Sequence, residues 1–117
     1  MIEKLGIGID IASIDDFDRI PYKQKPGLYE NIFLSSEIDY CLKYKEPSTH
    51  FAGKFALKEA VIKSINEKIH ISKIETSYDQ SKPTINLLNF DKKYKFQASI
   101  SHEKNYAIAV VISELIN

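Results

Sequence analysis

Arginine is nearly absent from this chain: of 16 cationic residues, only Arg19 carries a guanidinium. Bidentate recognition of phosphate is therefore almost unavailable, and a bound anion falls to lysine, backbone amides or a metal. Cysteine is as scarce. Cys41 stands alone, which excludes an intrachain disulfide, a stapled secreted scaffold and a zinc cluster of several thiolates. Net charge is missing too, since 16 Lys+Arg balance 16 Asp+Glu. Neither a nucleic-acid binder held by bulk electrostatics nor a polybasic membrane anchor fits that balance. No apolar run approaches the length of a bilayer span, and Met1–Leu5 lacks the charged-then-apolar layout of a signal peptide. Repeats, low-complexity tracts and a domain linker are also lacking. The expectation is one soluble, cytoplasmic domain over residues 1–117, 44% hydrophobic. A chain of that size buries roughly two-thirds of its unfolded surface.

What is present is patterned. Leu5, Ile7, Ile9 and Ile11 alternate with Gly6, Gly8 and Asp10, so a strand is predicted with its isoleucine face buried. The opposite face carries two glycines and then a carboxylate, which invites close approach to the backbone. Ser13 or Asp15 caps a short helix over 16–20, ended by Pro21. Pro21–Gly27 reads as a loop, and Ser35-Ser36-Glu37 opens a helix over about 36–44. Pro47-Ser48-Thr49 interrupts, and Thr49 opens the strongest helix, 50–66. Its apolar arc of Phe51, Phe55, Leu57, Val61, Ile62 and Ile65 contains the row His50, Lys54, Lys58. Cations inside a buried stripe cost stability unless anions meet them.

Strand-like segments follow at 75–78 and 84–88 around a turn at Asp79–Pro83. Tyr94–Ser101 and Tyr106–Ser113 then form a hairpin whose second strand, apolar on both faces, lies centrally in a sheet. The fold class is α+β: an antiparallel sheet packed with one long and two shorter helices. Cys41 reads as a core-packing thiol.

Three features carry chemistry: Asp10 at a strand end, Glu59 beside Lys58 on the long helix, and His102 after Ser-Ile-Ser. Each also has a plain role. Asp10 can end a strand or cap a helix, Glu59 and Lys63 make an i, i+4 pair, and His102 can be a solvated turn residue. Together, two carboxylates beside a lysine row suit Mg²⁺, which takes one or two carboxylates and fills its shell with waters and phosphate oxygens.

Order and spacing add a resemblance. Gly6-Ile7-Gly8-Ile9-Asp10-Ile11 resembles the opening GIGxDI motif of holo-acyl-carrier-protein synthases, the small 4′-phosphopantetheinyl transferases. Phe33-Leu34-Ser35-Ser36-Glu37 resembles that family's F-L-[ST]-x-x-E segment. Phe51–Ala60 resembles its AG-[RK]-[FW]-A-x-KEA stretch, with Lys63 at the following lysine. Ser81-Lys82-Pro83 resembles its G-K-P turn, and Ser99-Ile100-Ser101-His102 with Tyr106-Ala107 its S-[IV]-[ST]-H…YA ending. The resemblance implies the 4′-phosphopantetheinyl transferase fold and transfer of the 4′-phosphopantetheine arm of coenzyme A to a serine hydroxyl of an apo acyl carrier protein, with release of adenosine 3′,5′-bisphosphate. It implies that Asp10 and Glu59 bind Mg²⁺, and that Glu59 takes the serine proton directly or through a metal-bound water. Lys58, a catalytic residue in this reading, and Lys63 would stabilise phosphate charge. Lys54, in place of the usual arginine, would contact phosphate more weakly, Lys82 and Pro83 would border the nucleotide, and His102 would lie beside the coenzyme phosphates as a donor. It further implies a homotrimer with active sites at subunit interfaces, acting in fatty acid biosynthesis or a related pathway. A relative that binds coenzyme A or a carrier without efficient transfer is the alternative.

Four positions depart from the family pattern. The first helix holds Asp15, Asp16 and Asp18 with a single cation, where cations usually dock the acidic carrier. Lys23, Lys25, Lys43 and Lys45 are the substitutes, unless the carrier itself differs. Asn66-Glu67-Lys68 replaces a glycine-rich turn, Glu103 stands in place of a threonine, and Ser81 replaces glycine in the G-K-P turn.

Overall fold

The computed structural model describes residues 2–116. Along the chain come β1 (Leu5–Ser13), α1 (Ile14–Arg19), α2 (Pro26–Glu30), α3 (Ser35–Leu42) and α4 (Pro47–Ser64). The strands β2 (Ile74–Asp79), β3 (Lys82–Leu87), β4 (Lys93–His102) and β5 (Tyr106–Ile116) follow. An antiparallel sheet has the spatial order β1-β5-β4, while β2 and β3 pair as a separate antiparallel hairpin. This is the expected α+β architecture, with β5 central. Among the described residues no helix is long and apolar enough to cross a membrane.

The helices differ from expectation at prolines. α2 begins at Pro26, inside the segment read as a loop, and α4 begins at Pro47, where an interruption was expected. In both cases proline occupies the first helical turn, where its missing N–H has no intrahelical partner to lose and its fixed φ suits the helix. One long and three shorter helices result.

The sheet is reversed relative to the reading of its first strand. Ile7, Ile9 and Ile11 are 67%, 60% and 57% exposed, while Gly8 and Ala12 are buried. The cause is the closeness of α4. A Cβ at Gly6 would stand 1.7 Å from the Ser64 carbonyl oxygen, and one at Gly8 would stand 1.9 Å from that of Ala60. The expected close approach to the glycine face is thus made by the protein's own long helix. Its contact face is small (Ala52, Ala56, Ala60), and β5 answers with Ala107, Ala109 and Val111. A second cluster of Tyr29, Phe33, Ile38, Cys41 and Phe51 fills the space under α2 and α3. Burial pushes the Cys41 thiol up to about 12, as expected for a packing residue.

The β2–β3 turn is tight. Asp79 pairs with Lys82, and the two residues between them, Gln80 and Ser81, have φ of 52° and 75°. Two successive positive φ values are the signature of a type I′ hairpin turn, and Ser81 holds a conformation that glycine adopts more cheaply.

Gly8→Ala drives a methyl into a backbone carbonyl that cannot move without shifting α4, and is expected to cost at least about 2 kcal/mol in chemical denaturation. Gly27→Ala, where nothing lies within 4 Å of the added atom, is expected to cause no loss. Equal stability of the two variants would contradict the close-packed β1–α4 contact.

Candidate active site

The lysines of α4 find their anion inside the chain. Lys58 is fully buried, and its Nζ lies 2.6 Å from Glu37 Oε1 and donates to the Ile32 carbonyl oxygen at 2.7 Å. Glu37 Oε1 also accepts from the Leu34 backbone N–H at 2.8 Å, at the start of α3. Its other oxygen accepts from the backbone N–H of Thr76 at 2.8 Å and from the Thr76 hydroxyl. Lys54 Nζ in turn donates to the Thr76 hydroxyl at 3.0 Å and carbonyl at 3.1 Å. Burial pushes both ammonium groups below the usual lysine range, opposed chiefly by the Glu37 carboxylate. Lys54 and Lys58, expected at the phosphates, are both held in a buried junction joining α3, α4 and β2. Sequence reasoning named Glu37 as a helix start and motif residue but not as this anion, and it missed Thr76. The signal for an anion was the cation row within an apolar stripe.

Where β1 crosses α4, a second charged group forms at the surface. Asp10 lies two residues beyond Gly8 on the same strand face, and its carboxylate is 2.9 Å from Lys63 Nζ. Lys63 also donates to the Ile9 carbonyl oxygen at 3.1 Å. Glu59, half-buried, sits one helical turn before Lys63. Lys63 thus pairs with Asp10 on β1, and Glu59 lies one turn earlier on its own helix. Among the described residues no group of three or more His, Cys, Asp or Glu gathers. The donor set is two hard carboxylates, which fits Mg²⁺, a cation that takes its remaining ligands from water and substrate oxygens, and does not fit structural zinc.

A third element is a groove of about 490 Å³ between the β2–β3 turn and β4–β5. Lys82, Pro83 and His102 all line it, with Ser81, Tyr78 and Ser99. The three residues expected at the nucleotide are therefore together. Gly53 explains the position of His102: a Cβ there would stand 2.8 Å from His102 Nε2, so only glycine admits the imidazole against α4. Behind it, His50 stacks on Tyr44 with centroids 3.7 Å apart. Burial, then the His102 and Lys54 charges, hold His50 below the usual imidazole value.

The departures from the family pattern also resolve locally. Arg19 is engaged by Asp15 at 3.1 Å and Asp16 at 2.8 Å on its own helix, leaving α1 acidic. Glu103 turns into the β4–β5 turn, where Oε1 accepts from the Asn105 N–H at 2.8 Å. Glu67 is tied to β4 through the Tyr94 hydroxyl, and pairs with Lys92 at 3.8 Å.

Known proteins match along nearly the whole chain. The family model described as the 4′-phosphopantetheinyl transferase superfamily matches residues 6–111. A holo-[acyl-carrier-protein] synthase of Thermodesulfovibrio yellowstonii is 36% identical, the alignment covering 96% of this chain and 98% of that protein. Among solved structures, the Helicobacter pylori holo-[acyl-carrier-protein] synthase in complex with coenzyme A has a TM-score of 0.77 at 36% identity. That superposition covers 92% of this chain and 99% of that one. A Bacillus anthracis holo-(acyl-carrier-protein) synthase in complex with CoA (3′,5′-ADP) has a TM-score of 0.75 at 28% identity, covering 93% and 95%.

Glu37→Gln leaves Lys58 buried without a full counter-charge, and is expected to cost about 3–5 kcal/mol in chemical denaturation. A cost below about 1 kcal/mol would mean that the junction does not hold the fold together.

Proposed function

The chain belongs to the 4′-phosphopantetheinyl transferase superfamily, and from that premise we propose that it moves the 4′-phosphopantetheine arm of coenzyme A onto a serine hydroxyl of an apo acyl carrier protein. It is an enzyme of the holo-[acyl-carrier-protein] synthase type, and coenzyme A-dependent transfer is the chemistry of that type. What carries the detailed reading is the gathering of Lys82, Pro83 and His102 around one groove, with Asp10 paired to Lys63 at the β1–α4 crossing and Glu59 one turn earlier on α4. Lysines rather than arginines meet the phosphates, consistent with a chain that has one arginine, engaged elsewhere.

In this reading Asp10 and Glu59 hold Mg²⁺, which would neutralise pyrophosphate charge and fix its orientation. Lys63, paired with Asp10 in this structure, would release it to the metal and face the leaving phosphate. Glu59 accepts the serine proton as the serine oxygen bonds to the pantetheine-bearing phosphorus. The bond from that phosphorus to the bridging oxygen breaks, and adenosine 3′,5′-bisphosphate departs with that oxygen. His102 donates to a coenzyme phosphate, and Lys82 and Pro83 border the nucleotide. Lys54 and Lys58 act from behind, holding α4 against β2.

The homotrimer belongs to the same proposal. Leu5, Ile7, Ile9 and Ile11 on β1 and Ile108 and Ile112 on β5 form an exposed apolar face. A patch of that kind on a soluble domain marks an interaction surface. Residues of this face, Val110 and Ile112, also line the groove, which supports a groove at the edge of such an interface. Ile9→Asp is expected to convert a species sedimenting at three times the chain mass into a smaller one. A wild-type monomer in sedimentation velocity would overturn the trimer.

Incubation with coenzyme A, Mg²⁺ and a panel of apo carrier proteins tests the activity, read as carrier mass. A gain of one phosphopantetheine is expected, lost on chelation and reduced at least about 100-fold in Asp10→Ala and Glu59→Ala. Coenzyme A binding without mass gain on any carrier would favour a binding-only protein, and full activity of both variants would refute the metal assignment. The acidic α1 makes carriers with fewer acids on the docking face the better substrates.

A further inference from the structure

Tyr78 stands in the groove away from the reacting groups, and its placement is unusual. In the hairpin register it lies directly opposite Pro83, so the two side chains share one face, side by side. Both line the groove with Lys82 and His102. On its other side Tyr78 is backed by the core. Its ring is 5.5 Å from that of Tyr40, at an interplanar angle of 29°. Lys54 Nζ lies 5.1 Å from the Tyr78 centroid and 4.8 Å from that of Tyr40.

These three distances close a nearly equilateral triangle, so Tyr40 and Lys54 approach Tyr78 from the same side. Neither Tyr40 nor Lys54 lines the groove, whereas Tyr78 does. Tyr78 is therefore packed against Tyr40 and Lys54 on one side and also borders the groove. The ring is held in place by the Tyr40 stack and by Lys54, which is itself held by two bonds to Thr76. A flat, fixed, electron-rich surface beside a proline and flanked by lysine and histidine is suited to one class of ligand. That class is a heteroaromatic base joined to phosphate: the base stacks on the ring while the cations meet the phosphate.

We propose that Tyr78 is the platform on which the purine base of coenzyme A stacks, and so determines the preference for a base-bearing donor over one that keeps the ribose and phosphates and lacks the base. The proposal rests on coenzyme A occupying this groove, as in the reading above. It assigns Tyr78 to ground-state binding of a part of the donor remote from the reacting phosphorus. Losing the ring should therefore raise KM for coenzyme A and leave kcat nearly unchanged.

The test compares coenzyme A with a donor that keeps the ribose and phosphates and lacks the base, using the full-length protein in its native assembly. Tyr78→Leu keeps apolar bulk without a π-face, and Tyr78→Phe keeps the ring. With coenzyme A, Tyr78→Leu is expected to raise KM about tenfold with kcat within about twofold. Tyr78→Phe should restore KM to within about threefold of wild type. With the abasic donor, wild type and Tyr78→Leu should have the same KM. An unchanged KM for coenzyme A in Tyr78→Leu, or an equal rise with both donors, would overturn the stacking assignment while leaving the transferase activity standing. A wild type that turns over neither donor would instead overturn the transferase reading, and the stacking role with it.

Discussion

The buried carboxylate of Glu37 is the interaction on which the arrangement depends. Its two oxygens meet the first turn of α3, the Lys58 ammonium of α4, and both the backbone and the hydroxyl of Thr76 on β2. An ion pair in a dry interior is weak evidence of net stability, because desolvating both partners offsets most of the attraction. Its geometry is nevertheless demanding, since a buried charge tolerates few alternative partners. Once Glu37 is fixed, α3 and the β2–β3 hairpin must both lie against α4. Thr76 then holds Lys54, Lys54 backs Tyr40 and Tyr78, and the wall of the groove follows.

The second constraint is steric. Gly6 and Gly8 let β1 lie almost on the backbone of α4, and the small side chains of α4 and β5 complete that contact. Because the helix takes the glycine face, the isoleucines are turned outward. The same crossing places Asp10 beside Lys63. One close approach thus accounts both for the charged group at the surface and for the exposed apolar face. Glycine acts similarly at Gly53, where the missing Cβ makes room for His102.

Much of this was legible in the sequence because it depends on local pattern. The strand order at the carboxy terminus followed from a strand apolar on both faces, and β5 is indeed central. Lys82, Pro83 and His102 were singled out together through ordered motifs, and they share a groove. The face that β1 buries was read the wrong way round, because side-chain apolarity says nothing about how close a helix can come to a bare backbone. The buried partners of Lys54 and Lys58 were not foreseen, for a related reason. The position of the two lysines within an apolar arc called for an anion, but Glu37 and Thr76 are distant in the chain, and nothing in local spacing brings them to α4. The prolines at the starts of α2 and α4 looked like breaks because the same residue ends one element and begins another.

Glu37 and Lys58 act as one unit that holds the walls of the site together. A double-mutant cycle with Glu37→Gln and Lys58→Met, followed by chemical denaturation, measures that unit directly. Each single change should be strongly destabilising, and the double variant should recover part of the loss, with a coupling of about 2 kcal/mol or more. Additivity within about 0.5 kcal/mol would contradict it.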